Sequence, residues 1–164
     1  MIDARKIAVY SALLFTGSMV FGQVKVEHIQ KANRPIATAV WAGNTLYLSG
    51  QMASPVTPAD PAKGTAAVYG DTEAQAMSAL TKIQAILKEQ GLTMGDVVLM
   101  HVYMAGDPNK GGKLDFAGMM KSYDKFFGTP AQPNKPARCA MQVAALAAPW
   151  GLVEIEVTAV RSSK

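Results

Sequence analysis

The eight residues Val97–Met104 read Val-Val-Leu-Met-His-Val-Tyr-Met. Strand side chains alternate between faces, and this run is apolar on both, so a strand here must be covered on both sides. A lone sheet with one wet face is excluded. One cover must come from helices and the other from a further layer or a second copy of the chain. His101, inside the run, reads as a core or interface histidine.

A helix that could supply the first cover lies just upstream. Ala76, Leu80, Ile83 and Leu87 recur at helical spacing over residues 72–90, with Met77 and Ile86 widening the stripe. Thr72 and Gln75 fit a capping box, and Gly91 suits the position just past the helix end. A second helix is capped by Asp115 and stopped by Gly128. Phe116, Met119, Met120, Tyr123, Phe126 and Phe127 form its apolar side. Residues 24–28 alternate as a short strand. Residues 36–41 and 45–49 make a hairpin around Ala42-Gly43-Asn44, and Ser49-Gly50-Gln51 ends its second arm. A short strand follows Pro136. Residues 152–160 alternate, with Val153, Ile155, Val157 and Ala159 on one face and Glu154, Glu156 and Thr158 on the other. Residues 52–70 and 106–113 read as loops. Gly111-Gly112-Lys113 lacks the spacing and the following Ser/Thr of a phosphate loop. The order βββ-α-β-α-ββ predicts an α+β fold, a mixed sheet with two helices on one face. Burial of its other face predicts a symmetric oligomer.

Composition narrows the function classes. The chain has 164 residues, enough for one domain, and is 49% hydrophobic and 17% charged. Its formal charge of +4 comes from scattered lysines and arginines without a basic face, which argues against nucleic-acid binding. Cys139 is the single cysteine, so no intrachain disulfide can form. His28 and His101 lie far apart with no metal spacing, so no metal site is expected. Arg5 and Lys6 precede an apolar run ending at Val20-Phe21-Gly22. Residues 1–22 read as a cleaved signal peptide of an exported, periplasmic protein, with an uncleaved anchor or an amphipathic extension as the alternative. Residues 23–164 are the domain.

Three positions offer chemistry. Arg138 stands at the strand entry after Pro136, among small and apolar neighbours. Its planar fork matches a carboxylate with two parallel hydrogen bonds, although a surface arginine or a structural ion pair fits too. Gly50 permits close approach of backbone to a ligand, or marks a bulge. Glu154 is either a functional acid or part of a solvated strand face.

The motifs Tyr47-Leu48-Ser49-Gly50-Gln51, Val97-Val98, Phe116-Ala117 through Tyr123 to Phe126-Phe127, Pro136-Ala137-Arg138 and Val153-Glu154-Ile155-Glu156 together resemble the RidA/YjgF family, over about residues 34–160. Extra residues around 106–113 are the main interruption. The resemblance implies a chorismate-mutase-like, six-stranded fold and a homotrimeric barrel with sites between subunits. It implies hydrolytic deamination of enamine or imine intermediates such as 2-aminoacrylate to 2-oxo acids and ammonia, with no cofactor and no metal. It implies that Arg138 binds the substrate carboxylate, that Glu154 attends the attacking water, and that Ser49 and Gly50 contact substrate. The chain departs from the family at Ile36 (tyrosine), Met120 (asparagine) and Ala140 (cysteine). Cys139, adjacent to Ala140, should face the other way. The expected pocket is therefore more hydrophobic than usual, with Glu154 as the partner of Arg138 on a neighbouring strand. A non-catalytic, carboxylate-binding or chaperone-like trimer is the alternative. A ribonuclease would need a basic stripe, a stacking platform or a His/Lys pair, none of which the sequence offers.

Overall fold

The computed structural model describes residues 23–162, and the expected export segment lies outside them. The elements are β1 (Val26–Ile29), β2 (Ala39–Ala42), β3 (Thr45–Met52), α1 (Thr72–Glu89), β4 (Val97–Met104), α2 (Phe116–Tyr123), β5 (Ala137–Gln142) and β6 (Val153–Val160). They form one six-stranded sheet in the order β1-β2-β3-β6-β4-β5. Only β4 and β5 are parallel, joined across α2, so the sheet is mixed as expected.

The apolar stripe of α1 sets the core. Ala76, Ala79, Leu80, Ile83 and Leu87 are fully buried, together with Leu46 of β3, Val102 of β4 and Val153 of β6. Each leucine, isoleucine and valine among them contributes roughly 1.5–3 kcal/mol on burial. The α1 cap differs from expectation. Asp71 is the N-cap, and its carboxylate accepts from the Ala74 N–H at 2.9 Å. An aspartate one residue earlier does the capping. Thr72 and Gln75 are instead buried. The Gln75 amide donates to the Gly70 and Trp150 carbonyls and accepts from the Leu152 N–H, tying two loops to the helix.

Other boundaries moved. β2 begins at Ala39, because residues 36–38 run beside β3 as an irregular segment. β3 continues through Gly50 to Met52 with a register shift between Leu48 and Gln51. α2 is short, and Phe116, expected on its buried side, is 45% exposed. Both helices lie on one sheet face. The opposite face carries Tyr47, Leu99 and Met141, all exposed apolar or aromatic side chains. It also carries a polar network, with His101 Nδ1 at 2.8 Å and the Tyr103 hydroxyl at 3.2 Å from Glu156 Oε1. The second cover that the β4 sequence demands is thus not supplied by the described residues.

Candidate active site

Two clusters hold the residues expected from sequence. The first surrounds the bulge in β3. The Ser49 hydroxyl donates to the Ala37 carbonyl at 2.8 Å, and its N–H donates to the Thr38 carbonyl at 3.1 Å. These two bonds fasten residues 36–38 alongside β3 and leave Ile36 at the rim, 60% exposed. Next along the strand, Gly50 lies under Glu154. A Cβ at Gly50 would collide with the Glu154 carboxylate and sit 3.0–3.1 Å from its δ and γ carbons. It is this close approach, and not the backbone angles, that favours glycine here. The Glu154 carboxylate is half-buried and has no hydrogen-bond or ion-pair partner among the described residues.

The second cluster lies where β5 meets α2. Arg138 pairs with Met100 of β4, whose side chain is buried beneath the helices, so the arginine takes the helix face. Its guanidinium lies 4.3 Å from the Tyr123 ring centroid and 5.7 Å from that of Phe116. One nitrogen, Nη1, points to the Met120 sulfur at 3.2 Å. Cation–π contact of this kind holds the fork in place without consuming most of its donors. No acid among the described residues pairs with it. Burial holds the Tyr123 phenol above its ordinary pKa, against the opposing pull of the guanidinium. Ala140 shares the helix face, and exposed Cys139 faces the other way, as strand alternation requires.

Arg138 and Glu154 do not face each other across neighbouring strands, contrary to expectation. β4 lies between β5 and β6. Glu154 pairs with Tyr103 on the opposite sheet face from Arg138. Strand alternation alone cannot reveal strand order, which is why the two looked adjacent. One cluster therefore presents an unpaired carboxylate beside an open backbone, and the other presents an unpaired guanidinium on an aromatic platform. Sequence reading missed Tyr123 as that platform. Its helical spacing marks it as core, and it does lie in the core with one ring face under the cation.

The clefts do not join the two clusters, and the one of about 780 Å³ between α1 and residues 125–132 holds none of the expected site residues. A cleft of about 630 Å³ between residues 67–71, 105–109 and 144–152 contains Tyr69 and Trp150, stacked with centroids 3.5 Å apart, but none of the expected site residues. A hollow of about 280 Å³ on the open sheet face holds His101 and Glu156. Among the described residues no cluster of histidine, cysteine or acids could hold a metal ion.

Comparison with known proteins agrees with the geometry. Residues 25–161 match the family model described as Endoribonuclease L-PSP. A RutC family protein of Haemophilus influenzae is 39% identical over 140 residues, 84% of this chain and 97% of that protein. A 2-iminobutanoate/2-iminopropanoate deaminase of Escherichia coli is 35% identical over 139 residues, covering 84% and 96%. Among solved structures, E. coli TdcF with bound serine superposes with a TM-score of 0.61 at 30% identity, over 86% of this chain and 99% of that one.

Proposed function

The chain belongs to the endoribonuclease L-PSP family, the RidA/YjgF group, and on that footing we propose that it hydrolyses small enamine or imine carboxylates to 2-oxo acids and ammonia. One observation carries the reading. The acid and the guanidinium are both left without partners, on two clusters that a single chain does not join. We propose further that copies of the chain assemble as a homotrimer, its contacts made through the apolar open face, so that Arg138 of one copy meets Glu154 of the next. The relative named as a deaminase and the serine bound to TdcF support the same substrate class.

The proposed roles follow from the chemistry. The guanidinium takes the substrate carboxylate with two parallel hydrogen bonds and fixes the pose, replacing a diffusional encounter with an oriented one. An enamine first takes a proton at its terminal carbon and gives one up from its nitrogen to become the imine. Glu154 accepts a proton from water as the oxygen adds to the imine carbon, and passes it to the nitrogen to give the carbinolamine. Transfer of the hydroxyl proton to that nitrogen then lets the C–N bond break, releasing ammonia and leaving the ketone. Backbone at Gly50 stays bare, so substrate can lie against it. The apolar Ile36, Met120 and Ala140 would favour side chains bulkier than hydrogen or methyl.

The test generates imines in situ with an amino-acid oxidase and follows 2-oxo acid and ammonia release, with wild type, Arg138→Lys and Glu154→Gln. Accelerated release that both variants lose is the expected result. Binding of 2-oxo acids without any acceleration would establish the binding-only trimer instead. A monomeric mass at micromolar concentration would overturn the shared site. Residues 1–22 are proposed to be an export signal on the strength of their basic start and apolar run, which the N-terminal sequence of secreted material checks.

A further inference from the structure

We propose that the cleft of about 630 Å³ between residues 67–71, 105–109 and 144–152 is a binding site for a flat organic cation, an amidinium or guanidinium carried on an aromatic or apolar body. The site contains neither Arg138 nor Glu154 and is independent of the deaminase reading.

Charge selects the class of ligand. The cleft is lined by two acids, Asp71 and Asp107, and by no lysine, arginine or histidine, in a chain whose formal charge is +4. Asp107 is the sharper case, because only 1% of it is exposed. Its Oδ1 accepts from the Asn109 N–H at 2.8 Å. Its second oxygen accepts from no donor among the described residues, and Lys110 of the same loop turns to Asp115 instead, at 3.7 Å. A buried carboxylate without a counter-ion is costly, and a cation that enters the cleft removes that cost. Asp71 likewise spends one oxygen on the Ala74 N–H and leaves the other without a donor among the described residues. Asp107 belongs to the stretch 106–113 that interrupts the family resemblance, so this acid comes from outside the family motifs.

Shape selects flatness. Tyr69 and Trp150 line the cleft with their rings stacked 3.5 Å apart and their planes within 4°. Each ring braces the other, and aromatic faces of this kind attract planar cations. A compact ammonium would use the acids and waste the wall. The walls are also held at a fixed separation. The buried Gln75 amide ties Gly70 of one wall to Trp150 and Leu152 of the next. The Ala105 N–H donates to the Leu152 carbonyl at 3.0 Å and ties on the third. A cleft fastened in this way needs little ordering when a ligand enters. Its volume suits a small molecule.

The experiment is titration calorimetry on the full chain with benzamidine, a flat amidinium, and with benzamide, its neutral counterpart of nearly the same shape. Wild type is expected to bind one benzamidine per chain and to favour it over benzamide by about tenfold or more, the scale of a hydrogen bond to a charged group. Asp107→Asn should remove most of that preference and leave benzamide affinity within about twofold. Asparagine keeps an acceptor for the Asn109 N–H, so this variant should fold. Asp71→Asn, which also keeps its cap, is the second variant and should lower the preference by at least about twofold. Trp150→Leu should weaken both ligands alike, since it removes the wall and keeps both charges. The other tryptophan, Trp41, lies outside the cleft, so benzamidine should change the indole fluorescence of wild type and not that of Trp150→Leu. Asp124→Asn, at an exposed acid just past α2, controls for net charge and should retain the preference. Equal affinity for the two ligands, no binding of benzamidine, an unchanged preference in Asp107→Asn, or the same loss in the control would overturn the proposal.

Discussion

Gly50→Ala separates structure from chemistry at the proposed site. Gly50 does not adopt a positive φ, so alanine meets no backbone strain there. What the new methyl meets is the Glu154 carboxylate, inside van der Waals contact. That group is the free end of a flexible side chain, so it swings away at a cost of about 0.5–1.5 kcal/mol for a displaced rotamer. Stability from urea denaturation should therefore fall by no more than about 1.5 kcal/mol. Catalysis should suffer far more. Displacing a proton-transfer group by an ångström or more costs on the order of 10²-fold in kcat/KM. Glu154→Gln should lose a similar factor. The double variant should be no worse than either single one, because both remove the same positioned carboxylate. The readouts are 2-oxo acid release from imines made in situ and urea melts of the same preparations. A folded Gly50→Ala protein with kcat/KM within about twofold of wild type would refute the reasoning, since the carboxylate would then not be needed where it lies.

Three further expectations follow from other contacts. Arg138→Lys should weaken 2-oxo acid binding by about tenfold or more, because a point charge replaces a two-pronged donor, while stability falls by less than about 1 kcal/mol; calorimetry and urea melts measure the two. Gln75→Ala should destabilise by about 2–4 kcal/mol, since it removes a buried amide that serves three backbone groups, and amide exchange at Leu152 should quicken first. Burial and the bond to Glu156 raise the Tyr103 phenol above its ordinary pKa of 10.0. Folding stability tied to that proton is fully present below pH 10.0 and is lost as pH rises through the higher folded value, so Tyr103→Phe should flatten the alkaline limb of stability measured by urea melts from pH 9 to 11.

Much of the fold was readable because periodicity carried it. The α1 stripe and the Val153-to-Ala159 alternation announced a helix on a sheet, and the two-faced β4 announced a missing layer. Glu154 and Arg138 were each legible as groups with a suitable chemistry. Their separation was not, because strand order depends on the β4-α2-β5 crossover and leaves no mark in local pattern. Asp71 and Thr72 show a smaller failure of the same kind. Both are good cap residues, and only the packed position of Gln75 decides between them. Tyr123 could not be recognised as the seat of a cation, since a ring that buries one face and offers the other has the same spacing as one buried on both.

Among the described residues β5 closes one side of the sheet and pairs only with β4, so no strand there covers its outer backbone. Such an edge is a template on which strands of other molecules can add, and chains commonly blunt it with an inward-leaning charge. Arg138 is the only charged residue in Ala137–Gln142. Without it the segment is a neutral run of alanines, cysteine, methionine and Gln142. The guanidinium that would clasp a substrate is thus also the one charge on this edge. A dead Arg138→Ala preparation could have lost either service, whereas Arg138→Lys removes the fork and leaves the edge guarded.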